Sequence, residues 1–138
     1  MSEPSATLES RLRRALRLAA AAVFVVTPLE LILTEHTGSA IQYLPFAACA
    51  VGLVALWAVG QVGSLRRTGQ ALLALVAGVS ALGCWEHIEH NYAFVSEIRP
   101  NAETGEVVFE ALFGASPLLA PGILALAAAL AWASGLRH

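Results

Sequence analysis

Apolar residues dominate four stretches of the chain, and each is close to the length that a membrane-spanning helix needs. The stretches run approximately over residues 18–35, 41–62, 71–92 and 112–132. A helix of about 20 residues crosses a bilayer core of about 30 Å. The pattern therefore predicts an all-α integral membrane protein with four transmembrane helices in an up-down-up-down bundle. Residues 1–138 form one domain in this interpretation, with an outer loop over residues 93–111.

Composition also favours a membrane protein over a water-soluble one. Hydrophobic residues make up 57% of the chain and charged residues 13%, whereas soluble proteins have roughly 45–50% and 25%. The net charge of -2 is too small to indicate binding to nucleic acid. The lipid bilayer is thus the expected surrounding. Further copies of the chain, or the other subunits of a larger membrane complex, are the protein partners that the sequence leaves open.

The arginines predict how the helices are oriented. Of the eight arginines, all but Arg99 lie before the first stretch, between the second and third, or after the fourth: Arg11, Arg13, Arg14, Arg17, Arg66, Arg67 and Arg137. Because arginine-rich segments stay in the cytoplasm, both termini are predicted to be cytoplasmic and the outer loop to face the periplasm of a bacterial inner membrane. A cleavable signal peptide, ending in small residues at Gly38-Ser39-Ala40, is the alternative interpretation of the first stretch.

The third stretch ends in a run of ionisable residues that is unusual for a helix in lipid, Cys84-Trp85-Glu86-His87-Ile88-Glu89-His90-Asn91-Tyr92. An acidic side chain at the middle of a membrane helix costs about 2.5–3.5 kcal/mol, so such residues usually face a protein interior and mark a functional site. On a helix, Glu86, His87 and His90 share one face and Glu89 flanks it. The run therefore predicts a functional site at the outer end of this helix.

The first stretch carries a second polar set, Glu30, Glu35 and His36. Counted from the helix ends, Glu30 and Glu86 have similar depths. The two sets are therefore predicted to meet between parallel, neighbouring helices and to hold a metal ion. The predicted ligands are Glu30, Glu35, His36, Glu86, His87, Glu89 and His90.

Mixed carboxylate and imidazole sets bind transition metals, and the sequence does not distinguish iron, copper, zinc and manganese. Di-iron and di-manganese bundles carry Glu-x-x-His on their ligand helices. This chain has Glu86-x-x-x-His90 instead, so the resemblance is in ligand type and not in motif. One hypothesis is a redox-active or enzymatic centre, with Glu30 moving protons. Whether the chain is an enzyme stays open.

Other interpretations remain for the same residues. They include a hydrogen-bonded cluster at the membrane surface, a proton relay without metal, a haem held by His36 with His87 or His90, a small metal carrier, and an accessory subunit. Glu106 and Glu110, four residues apart on a possible outer helix, would add oxygen ligands or face water.

Three further features bear on the bundle. Pro28, Pro117 and Pro121 are predicted to bend their helices, because proline removes a backbone hydrogen bond. Trp57 and Trp132 lie near the predicted cytoplasmic ends of their helices, which is typical of an aromatic belt. The two cysteines, Cys49 and Cys84, are predicted to be apolar packing residues without a disulfide.

Overall fold

The computed structural model describes residues 3–114 and 119–136, and all regular structure in these ranges is helical. The order is α1 (Glu3–Leu33), a short 3-10 helix (Ala40–Tyr43), α2 (Leu44–Ala58), α3 (Ser64–Ile98), α4 (Thr104–Leu112) and α5 (Leu119–Ser134). The all-α prediction is confirmed for the described residues.

Three segments are long and apolar enough to cross a membrane: Thr7–Leu33, Ala40–Ala58 and Ser64–Ile98. Pro121–Ser134 is apolar but shorter. Large apolar side chains such as Val25, Leu53 and Leu75 lie on the outside of the bundle. An apolar surface of this extent is typical of contact with lipid. The chain is therefore a membrane protein in which these faces contact the acyl chains.

The helices differ from the predicted stretches mainly at their ends. The arginine-rich segment before residue 18 is helical, because arginine, leucine and alanine are good helix formers. The predicted outer loop over 93–111 is wrong, since α3 continues to Ile98 and α4 begins at Thr104. Pro100 explains where α3 stops, because a proline disfavours the helical conformation in the residue before it, here Arg99.

Four of the helices form a ring. α1 packs on α2 and α5, and α3 packs on the same two helices. The described residues of α1 and α3 make no direct contact, so these helices lie diagonally across the bundle. The prediction that the first and third helices are neighbours is therefore wrong. α4 lies outside the ring and, among the described helices, packs on α3 alone.

Glycines allow α2 to approach its neighbours closely. The fully buried ring of Phe24 lies against Gly52, where an added Cβ would come within 2.5 Å of a ring carbon. Gly69 of α3 lies against the backbone of α2, and an added Cβ would be 2.7 Å from the Val59 nitrogen and 2.9 Å from the Ala55 oxygen. Close backbone approach at small residues is a common way of packing helices in membranes.

The same contacts align the helices along the bundle axis. Phe24 lies beside Gly52, while Val59 lies beside both Gly69 and Gly135. Counting from these contacts at about 1.5 Å per residue places the exposed Trp57 and Trp132 at about the same height.

Two exposed aromatic residues, Tyr43 and Trp85, share a height at the other side of the apolar zone, about 21 Å from Trp57 and Trp132. We call these two heights the aromatic levels. Aromatic side chains at two such levels are typical of the two surfaces of a membrane. We call the end beyond Trp57 the basic end, because it carries Arg11, Arg13, Arg14, Arg17, Arg66 and Arg67. The end beyond Trp85 is the acidic end.

The prolines and cysteines are partly as expected. Pro28 lies inside α1, which continues to Leu33. Pro121 is in the first turn of α5, where a helix leaves its N–H groups unpaired in any case, so the predicted bend at Pro121 is wrong. Pro117 lies outside the described residues. Cys49 is buried, Cys84 is half-buried, and they form no disulfide, as predicted.

Candidate functional site at the acidic end

The side of α3 that faces the bundle is marked by its buried residues, Gly69, Leu73, Val76, Ser80, Asn91 and Val95. His87 belongs to this side, because it follows Ser80 by seven residues and precedes Asn91 by four. It is half-buried, whereas Glu86, Glu89 and His90 are exposed. The structure thus divides the predicted common face: His87 faces the bundle, and Glu86 and His90 lie on the outer flank of α3.

His87 lies between two contacts of α3, one with Pro121 in the first turn of α5 and one with Gly114. One turn before it, Gly83 approaches Pro121, and an added Cβ would lie 3.1 Å from the proline Cβ. One turn after it, Asn91 approaches Gly114, where an added Cβ would lie 2.6 Å from the amide carbon. The Nδ1 atom of His87 is buried. His87 therefore lies on the bundle-facing side of α3, between these two contacts.

Glu35 ends α1. The His36 N–H donates to the Leu31 carbonyl at 2.8 Å, and the Glu35 N–H donates to the Ile32 carbonyl at 3.1 Å. Glu35 has φ 53°, so this is a Schellman motif with a glutamate at the left-handed position that glycine usually occupies. The absence of glycine at position 35 explains why the sequence did not reveal this role. The half-buried His36 follows directly.

The two predicted polar sets do not meet within one chain. Glu30 and Glu86 are both exposed, and they belong to helices that lie diagonally across the bundle. Counting from the glycine contacts, Glu30 falls at the height of Phe46 and Glu86 at the height of Gln42. Glu86 is thus about 6 Å farther toward the acidic end, and the predicted match in depth is wrong by about one helical turn.

Within the part of the chain that the structure describes, no three His, Cys, Asp or Glu side chains are grouped so that they would hold a metal ion. Glu86 and His90 form a pair one turn apart on the exposed flank of α3. They lie about 2 Å and about 8 Å beyond the height of Trp85. The cost of burying charge at the middle of the membrane, from which the site was predicted, is therefore much reduced for them.

The end of α3 and α4 form a helical hairpin beyond the aromatic level, which we call the acidic hairpin (residues 86–112). Asn91, which is buried, donates from Nδ2 to the Ala111 carbonyl at 2.9 Å. Arg99 pairs with Glu106 at 3.2 Å and also with Glu110. Glu106 and Glu110 share a helix face, as predicted, and both bind Arg99. The bracing role of Asn91 was missed, although its spacing from His87 and Ser80 places it on the buried side.

Apolar side chains are exposed on this hairpin. Phe94 is 50% exposed and Phe109 is 65% exposed. The rings of Phe109 and Phe113 lie 5.1 Å apart. Phe94 lies about 13 Å beyond Trp85 and Ile98 about 20 Å beyond it. Phe94 and Ile98 are therefore outside the zone that acyl chains cover. So is Phe109, because Ala111, two residues after it, is bound to Asn91 about 9 Å beyond Trp85.

No protein-family model, curated protein or solved structure matches the chain. The fold defines an all-helical membrane protein with a helical hairpin beyond its aromatic level. The functional argument rests on the residues of this hairpin.

Proposed function

We propose that the chain is an accessory subunit of a membrane complex, and that its acidic hairpin binds a basic surface of a partner protein. The observation that carries this proposal is the exposure of Phe94, Ile98 and Phe109 beyond the aromatic level. Phe94 and Ile98 are one turn apart on α3, and Phe109 packs on Phe113 of the segment after α4. Exposed apolar side chains that neither lipid nor the protein covers mark interaction sites. An apolar centre with a polar rim is also the usual composition of a protein interface.

Charge indicates the chemistry of the partner. Four carboxylates of the hairpin are exposed and make no ion pair with the described residues: Glu86, Glu89, Glu97 and Glu103. Among the described residues, Arg99 is the only arginine at this end, and it already binds Glu106 and Glu110. Complementary charge steers association and selects the partner, so a basic surface fits.

The hairpin is also braced before any partner arrives. Asn91 fixes the end of α4 to α3. Arg99, which directly follows α3, binds Glu110 and Glu106 of α4 and so holds a second side of that helix. A surface that is already ordered loses less conformational entropy when it binds. These contacts favour a binding role for the hairpin over a flexible solvated loop.

The proposal includes the four-span topology. In it, α1, α2, α3 and α5 cross the membrane in alternate directions, and the basic end is cytoplasmic. The ring arrangement supports this topology, as does the segregation of arginine to one end. The acidic hairpin then faces the opposite side of the membrane.

Site-specific photo-crosslinking in intact membranes tests the proposal. A photoreactive amino acid at Phe109 is expected to give one discrete protein adduct. The control position is Leu126 of α5, which is 52% exposed but lies on the apolar part of the bundle; it should give no protein adduct. Reversing the charge of Glu97 and Glu103 to lysine should remove the Phe109 adduct.

Three results would contradict this function. Equal adduct yields from Phe109 and Leu126 would mean that the hairpin is no special contact surface. An adduct that is insensitive to the charge reversal would exclude a basic partner. An adduct of twice the 14.4 kDa mass of the chain would assign the hairpin to a second copy instead.

A transition-metal ion is the second candidate ligand of the hairpin. It is favoured by the exposed Glu86 and His90, whose i,i+4 spacing allows two side chains to hold one ion. A third ligand has to come from the partner, since the described residues hold no group of three. We expect metal in the cross-linked complex, its loss in His90→Ala, and none at stoichiometric level in the purified single chain. Metal in neither preparation would refute the metal hypothesis, and a full equivalent in the single chain would refute a partner ligand.

A further inference from the structure

We infer that the basic end of the bundle binds the anionic headgroups of phospholipids, through arginines that the fold does not use. This inference is independent of the acidic hairpin. It concerns Arg11, Arg14, Arg66 and Arg67, which lie on α1 and on the first turn of α3.

Two other arginines of this end have structural partners. Nη2 of Arg17 donates to the Leu56 carbonyl at 3.1 Å, near the end of α2. Nη1 of Arg13 donates to the Ser134 carbonyl at 3.4 Å, at the end of α5. Guanidinium groups stabilise the last carbonyls of a helix, which have no partner within it and carry partial negative charge. Arg13 and Arg17 therefore hold α1 to its two neighbours.

The four remaining arginines have no such role. Arg11, Arg14 and Arg67 are exposed, and they make no hydrogen bond or ion pair with the described residues. Arg66 is half-buried, and its Nε atom is buried without a hydrogen-bond partner in the described structure. Buried polar groups in native proteins nearly always have a partner. An acceptor from outside the described chain would supply the missing hydrogen-bond partner of the Arg66 Nε atom.

Charge at this end is unbalanced. Glu9 is the one carboxylate whose side chain the structure describes at the basic end, and it binds Arg13. The other four guanidinium groups have no carboxylate partner among the described residues. A guanidinium binds phosphate oxygens through two parallel hydrogen bonds, so a phosphate of the lipid headgroup suits these side chains.

Height along the bundle selects lipid as the source of that phosphate. Counting from the glycine contacts, Arg66, Arg67 and Arg14 lie about 6–8 Å beyond Trp57, and Arg11 about 12 Å. The headgroup layer of one leaflet is about 5–8 Å thick. Long arginine side chains reach several ångströms along the helix toward the membrane surface. Arg66, Arg67 and Arg14 thus lie at the depth of the lipid phosphates, and Arg11 lies about 4 Å beyond this layer, within the reach of a long side chain.

The three tryptophans provide a test that reports each end separately. Trp57 and Trp132 mark the basic end and Trp85 the acidic end, and all three are exposed. In Trp85→Phe, fluorescence comes from the basic end alone; in the Trp57→Phe/Trp132→Phe double variant, it comes from the acidic end. The full chain is reconstituted in phosphatidylcholine vesicles that contain brominated phosphatidylglycerol or brominated phosphatidylcholine, and the quenching gives the relative binding of the two lipids.

One arginine near an anionic surface is worth about fivefold in binding. We therefore expect a preference of about fivefold or more for phosphatidylglycerol at the basic end, falling as salt rises, and no preference at the acidic end. Replacing Arg11, Arg14, Arg66 and Arg67 together by glutamine should reduce the basic-end preference toward one. The matched control Arg99→Gln should leave it unchanged. Helicity by circular dichroism verifies that each variant is folded.

Equal quenching by the two lipids at the basic end would overturn the inference. So would a preference that persists in the quadruple variant, or one of the same size at the acidic end. Inorganic phosphate at matched ionic strength should leave the preference in place; its loss would show that the arginines bind free phosphate and not lipid.

Discussion

Replacing Gly69 by alanine is expected to separate α2 from α3 and to destabilise the bundle. The added Cβ would lie 2.7 Å from the Val59 nitrogen, 2.9 Å from the Ala55 oxygen and 2.9 Å from the Ala58 Cβ. Two of these atoms belong to the backbone of α2, so no side-chain rotation relieves the overlap. Overpacking of this kind costs about 1–3 kcal/mol.

A matched control on the same helix isolates the steric effect. Gly78 has no atom within 4 Å of an added Cβ, so Gly78→Ala adds the same methyl group to α3 without a clash. Alanine gains about 0.8–1.0 kcal/mol over glycine in a helix interior. This gain is common to both variants and cancels in their difference, which should equal the steric cost of about 1–3 kcal/mol.

Unfolding in mixed micelles measures this difference. The two variants are titrated with a denaturing detergent, and the loss of structure is followed by circular dichroism. Gly78→Ala should unfold at the same detergent fraction as the wild type or at a higher one, and Gly69→Ala at a lower one. Equal midpoints for the two variants would refute the close contact between α2 and α3, and with it the helix heights derived from that contact.

Three further outcomes follow from the structure. Glu35→Gly should stabilise the protein by about 1 kcal/mol, because glycine adopts the left-handed conformation without strain, while Glu35→Ala should not; equal thermal midpoints for the two variants would contradict this role of Glu35. Asn91→Ala should leave the Ala111 carbonyl without its donor at a cost of about 1–3 kcal/mol, seen as faster amide exchange in α4, and equally fast exchange in the exposed-site control Asn101→Ala would refute it. In a cysteine-free background, an impermeant thiol reagent should label Asn101→Cys from outside intact cells and should not label Ser64→Cys; the opposite pattern would reverse the orientation.

Part of the fold could be predicted from the sequence because it depends on composition and local pattern. A high apolar content and long runs without charge are sufficient for an all-helical membrane protein. The exposed positions of Trp57 and Trp132 follow from their place near the helix ends. The absence of a disulfide between Cys49 and Cys84 follows from their apolar surroundings.

The candidate site was less predictable because it depended on which helices are neighbours. The chemistry of Glu30 and Glu86 suggested a shared centre, but a ring of helices connected in sequence places α1 and α3 diagonally. Their heights depend on where Gly52 and Gly69 lock α2 to its neighbours, which no residue pattern near Glu86 reveals. The end of α1 depends on a glutamate in a conformation that is rare for any residue other than glycine.

The distance between the two aromatic levels has a consequence for the membrane itself. The levels are about 21 Å apart, whereas the apolar core of a typical bilayer is about 30 Å thick. Lipid next to the bundle has to thin, or flanking side chains have to extend toward the surface, at a cost of fractions of a kcal/mol for each ångström of mismatch. The chain is thus expected to concentrate where the membrane is thin, and lipid acyl-chain length becomes a variable that controls where it resides.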